Sequence, residues 1–238
     1  MQQPLEAVAA YWLSLRKLVG GNRTLKPLEQ EADFVAEPFA RHLLALALSD
    51  LAPARFRQCA SIGARAELMR LSRQIDFMRI TVMDIAQGEN PRRTLARMLA
   101  LFAAPPENPE ALLDKAQNTL KRALDRKATR EEYLVDHRLS DAELCVVLLF
   151  YAVMARRHGK AAGRPFLPQV GSAYFADGLA LVVDGFDLPF VRKWLKKYKE
   201  TLLTDMDRKY ALSMDMCEAL RDRLPFEAME LLARSHIR

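Results

Sequence analysis

The densest chemistry-bearing feature of this chain is a run of cations: Arg192, Lys193, Lys196, Lys197 and Lys199. Spacings of three and four put them on one broad helical face. Such a face suits electrostatic docking to an acidic partner. Phe190, Trp194, Tyr198 and Leu202 recur every fourth residue and predict an opposite stripe turned to the core. On that reading the aromatics do not interleave with the cations, as a single-strand nucleic-acid groove would require. A second basic cluster, Arg156-Arg157-His158, falls where a helix ends. Cations there are favoured by the helix dipole, and Arg156 and Arg157 are further candidate partner contacts.

Other reactive residue types are scattered. Asp205 and Asp207 are separated only by Met206, so they do not share one helical face, and no histidine lies near. Glu131-Glu132 reads as first-turn acid favoured by the dipole. Cys59, Cys145 and Cys217 are far apart and odd in number, which fits reduced, buried thiols in a cytoplasmic protein. His42, His137, His158 and His236 are isolated. No nucleophile elbow, phosphate loop, H-E-x-x-H or dinucleotide fingerprint occurs. Neither catalytic residues nor a metal or cofactor is therefore expected, and the chain reads as a non-enzyme.

Composition sets the wider frame. Of the 238 residues, 50% are hydrophobic and 28% charged, with 9 glycines and 12 prolines. A sizeable core and a helix-rich fold follow. The formal net charge of +6 and pI near 9.3 permit an anionic partner. The alternative function is thus a basic nucleic-acid-binding helical regulator, with Arg70, Arg73 and Arg79 as its arginine-rich face. The opening Met1-Gln2-Gln3-Pro4-Leu5-Glu6 lacks the pattern of a secretory signal. The longest apolar run, Leu144 to Ala155, is shorter than the roughly 20 residues a membrane span needs; it predicts a buried helix.

These residues must be positioned by helices, because no alternating strand pattern is present. Leu5 to Val19 predicts the first, stopped by Gly20-Gly21, with a loop from Gly20 to Lys26. A short helix is expected from Pro27 to Val35, and another from Pro38 to a point before Pro53. Leu68, Leu71, Ile75, Met78, Val82 and Ile85 step by three and four, a sustained helical seam that ends at Gly88. Asn90 caps the next helix with Pro91 in its first turn. Ala103-Ala104-Pro105-Pro106 reads as a linker. Asn108-Pro109 starts a helix with Leu112, Leu113, Ala116, Leu120 and Leu124 inward. Thr129 with Glu132, and Ser140 with Glu143, are capping-box patterns. Asp184-Gly185 is a break, and Asp187 caps the basic helix. A final helix or pair is expected from about Asp205, interrupted near Pro225.

The expected fold is an all-α helical bundle of roughly nine to eleven helices. Leu71, Ile75, Met78, Leu99, Leu148, Leu149, Leu179, Val183, Trp194 and Leu195 are its predicted core. Two related halves, 1–104 and 105–238, are suggested by similar breaks at Gly88-Glu89-Asn90-Pro91 and Gly185-Phe186-Asp187-Leu188-Pro189.

From Leu144 to Leu203 the chain resembles the cytoplasmic part of MotA-type flagellar stator proteins (MotA/TolQ/ExbB). The resemblance rests on Ala155-Arg156-Arg157-His158-Gly159 and on Phe175-Ala176-Asp177-Gly178-Leu179-Ala180-Leu181-Val182-Val183-Asp184-Gly185-Phe186-Asp187. Arg156, Arg157, Asp177, Asp184 and Asp187 lie at matching motif positions. The stator's membrane helices have no counterpart here, so channel function does not carry over. The resemblance implies an interaction protein of a bacterial motility or envelope machine, in the cytoplasm or peripheral to the inner membrane. Its partner would be a motor or secretion component with an acidic surface; oligomerisation stays open. A weaker likeness links Met83 to Phe102 to the cytoplasmic helical domains of GspF-type secretion platform proteins.

Overall fold

In the computed structural model, residues 3–20 and 27–237 are described; the expected loop lies, beyond Gly20, outside them. The described chain is all-α and contains no strand. In chain order the helices are α1 (Leu5–Val19), α2 (Pro27–Phe34), α3 (Pro38–Ala47), α4 (Pro53–Gln87), α5 (Pro91–Leu99), α6 (Glu110–Leu124), α7 (Asp141–His158), α8 (Ala173–Val183), α9 (Leu188–Arg221) and α10 (Phe226–Ile237). Short 3₁₀ segments lie at Arg130–Glu132 and Lys160–Gln169. No described helix is long and apolar enough to cross a membrane.

The boundaries follow local chemistry. The Asn90 side chain accepts the Arg92 N–H at 3.0 Å at the start of α5, and Pro91 occupies a first-turn position where no backbone donor is needed. At α7, Glu143 N–H donates to Ser140 Oγ at 3.3 Å while the Glu143 carboxylate accepts the Ser140 N–H at 2.9 Å. The bonds from Ser140 hold the Glu143 carboxyl below its usual range. Thr129 and Glu132 form the same reciprocal pair, but it opens only the three residues Arg130–Glu132, since no apolar periodic run follows to bury.

The chain forms two compact units. One comprises residues 1–70 and 202–238. Its interior is built from Trp12, Leu15, Phe39, Leu43, Phe56, Met216, Leu220 and Met229, all nearly or fully buried. Helix α1 packs on α2 and α10, and α2 on α3. Arg57 pairs with Glu218 and with Asp215. The other unit comprises residues 71–201. There α7 is the buried element, enclosed by α5, α6 and the 160–169 segment. Ten of the eleven α7 residues from Leu144 to Met154, all but Val146, are buried, so this helix is apolar all round. Within this unit Asp84 is buried, its carboxylate held by Arg97 with the Thr94 hydroxyl beside it. Burial raises its pKa.

Several expectations change. Helix α9 runs unbroken to Arg221, rather than yielding to a new helix near Asp205. Asp205 is tolerated mid-helix because it pairs with Lys209 one turn on. Leu124 is exposed, being the last residue of α6. Seven of the ten predicted core residues are buried, whereas Leu99, Val183 and Trp194 are only partly so; Leu99 and Val183 end their helices.

Candidate functional site

The first half of α9 is rotated relative to the predicted stripe. Its buried positions are Val191 and Leu195, one residue on from Phe190 and Trp194. Leu195 fits into the interior because α8 brings a glycine against it: a Cβ on Gly178 would lie 2.9 Å from a Leu195 methyl. The Tyr174 hydroxyl donates to the Leu195 carbonyl at 3.2 Å, which fixes the α8 contact further.

That rotation brings the aromatics to the flank. Phe190 is 44% exposed and stacks on Phe186, itself 49% exposed, with ring centroids 5.2 Å apart. Trp194 and Tyr198 are half-buried and meet edge to face at 4.9 Å. Contrary to the sequence reading, apolar ring surface therefore lies beside the cations, not opposite them. Phe186 was missed as a site residue. Its signal was the four-residue step to Phe190, hidden by the intervening turn at Gly185, whose φ of 84° suits glycine.

The cations divide. Arg192, Lys193 and Lys196, with Leu188 and Pro189, line an open depression of about 550 Å³. All three are exposed and make no ion pair or hydrogen bond among the described residues. Lys197 reaches Glu200 at 3.8 Å. Lys199 turns inward, on the Val191–Leu195 side, and pairs with Asp76 at 2.6 Å.

Of the second cluster, Arg156 donates to the Gly88 carbonyl at 3.0 Å, and the neighbouring Lys160 reaches the Ala86 carbonyl at 2.5 Å. Both satisfy carbonyls at the C-terminal end of α4 that have no helical partner. Arg157 is exposed. Comparison with protein-family models, curated proteins and solved structures finds no match. Asp184 pairs with Arg164 at 2.6 Å, and Asp187 caps α9 by accepting the Phe190 N–H at 2.9 Å. These two acids shape the turn into the basic helix, while Asp177 is exposed.

Among the described residues no three His, Cys, Asp or Glu side chains are placed to hold a metal ion. The arginines of the alternative face are engaged: Arg70 with Glu67, Arg73 with Asp141 at 2.6 Å, and Arg79 with Asp76. What the α9 face offers chemically is three unneutralised cations flanked by a stacked phenylalanine pair.

Proposed function

We propose that this chain is a non-enzymatic interaction protein that docks on an acidic protein surface through the first turns of α9. The observation that carries the reading is the contrast among cations: Arg192, Lys193 and Lys196 have no ion pair or hydrogen bond among the described residues, while Lys199, Arg73 and Arg164 each hold a carboxylate. Unpaired cations cost nothing in desolvation until a partner arrives, and they speed encounter with an acidic surface. The exposed Phe186–Phe190 pair supplies apolar contact area of the kind found at interface centres. The stator-like stretch contains this face, so a motor or secretion component is the partner class to test first.

The test is capture from a motile bacterium with the wild-type chain and with Lys193→Glu/Lys196→Glu. The expected outcome is an acidic motor or secretion component recovered by the wild type and lost with the variant, with association slowed roughly tenfold or more and its salt dependence flattened. Equal recovery by both proteins refutes the docking face. A second reading, single-stranded nucleic acid, is favoured by one observation, the exposed phenylalanine pair beside the cations. It predicts binding of an oligothymidine that weakens steeply with salt and falls with Phe190→Ala.

A further inference from the structure

The unit formed by residues 1–70 and 202–238 holds a second feature, independent of the α9 face. A cavity of about 250 Å³ is walled by Val8, Tyr11, Trp12, Val35, Ala40 and Met206, with Lys209, Tyr210 and Ser213 completing it. Trp12 is fully buried, and its indole N–H has no acceptor among the described residues; the Tyr11 hydroxyl is likewise buried, with the Glu31 carboxylate beside it as an acceptor. An indole N–H can only donate. Buried donors are nearly always satisfied, so an unsatisfied indole N–H in the wall of this cavity points to a missing acceptor. A 150 Å³ apolar cavity accommodates benzene, and this one has room for a fused two-ring body.

Charge decides what kind of acceptor fits. Lys209, 7% exposed, is neutralised by Asp205 at 2.5 Å. Glu37 stands at the wall, its carboxylate accepting the Ala40 N–H at 2.6 Å. Burial and the nearby Glu31 push the Tyr11 phenol well above its ordinary value, so it stays protonated and remains a donor. A carboxylate ligand would meet these acids; a neutral carbonyl would not. We propose that this cavity is a binding site for an uncharged, largely apolar two-ring compound bearing a carbonyl group, with the Trp12 indole N–H donating to that oxygen.

The probe is 1-indanone, compared with indane, which lacks the carbonyl, and with an indane carboxylate. The chain has two tryptophans, so a Trp194→Phe variant leaves Trp12 as the single indole N–H resonance in a ¹⁵N-labelled sample. Saturable downfield movement of that resonance with indanone is expected, with indane and the carboxylate each binding roughly tenfold or more weakly, the range a lost hydrogen bond in a closed site supports. Ala40→Leu, which fills the cavity from α3, is expected to abolish the shift while the circular dichroism spectrum is retained. The proposal is overturned if the Trp12 resonance does not respond to indanone. It is equally overturned if indane or the carboxylate binds as well as the ketone, or if folded Ala40→Leu still shows the shift.

Discussion

The rotation of α9 is testable by comparing Leu195→Ala with its neighbour Trp194→Ala. Leu195 is fully buried, and its methyl lies within 2.9 Å of where a Gly178 Cβ would stand, so the site has no slack. Truncation removes three buried carbons, about 2.4 kcal/mol at about 0.8 per methylene. The hole left behind adds to this, for a total of about 3–4 kcal/mol. Trp194 is larger but only half-buried, resting edge-on against Tyr198. Part of its ring is already in water, so its removal should cost less than the roughly 3–5 kcal/mol of a fully buried tryptophan. Urea unfolding followed by far-UV circular dichroism measures both, with the midpoint read at unchanged slope. If Trp194→Ala costs the full amount of a fully buried ring while Leu195→Ala costs little, the inward face is the one that the four-residue aromatic spacing predicts, and the account of the exposed rings fails with it.

The remaining predictions concern other sites. Asp84 is buried and its folded pKa is raised; the folded state therefore holds the proton more tightly, and stability falls as pH climbs from the ordinary carboxyl value to the raised one. Asp84→Asn should melt higher than wild type at neutral pH, with the gap closing near pH about 3; a lower melting point at neutral pH would mean that the Arg97 pair outweighs burial. Ser140→Ala removes the reciprocal cap of α7 and should cost about 1 kcal/mol in chemical denaturation; no change would show the cap to be redundant. Gly171→Ala places a Cβ 2.9 Å from the Val135 carbonyl oxygen, a backbone atom that cannot swing aside, so a loss of about 1–3 kcal/mol is expected, and a neutral result refutes the tight contact.

Local signals carried far in this sequence. The Ser140/Glu143 pair and the apolar run behind it located α7 and its burial, and Asn90-Pro91 and Asp187 located two helix starts, because caps and first-turn prolines act within a few residues. The seam through Leu71, Ile75 and Met78 was legible for the same reason. The facing of α9 was not. Phe190, Trp194 and Tyr198 mimic a core stripe, and only the approach of Gly178 from α8 to Leu195 selects the other face instead. Likewise, nothing near Lys199 announces Asp76, so all five cations read as equivalent. The Tyr11–Trp12 cavity was illegible, since its wall joins α1, the α2–α3 junction and the distant C-terminal part of α9.

The stacked Phe186–Phe190 pair has a colloidal consequence. Apolar rings on a surface invite copies of a chain to stick, and the cations alongside them oppose this by mutual repulsion. That opposition reaches about 8 Å at physiological ionic strength but only about 3 Å in molar salt. Concentrated preparations should therefore be most dispersed in dilute buffer and should begin to self-associate as salt is raised, the reverse of what a surface held together by ion pairs would do.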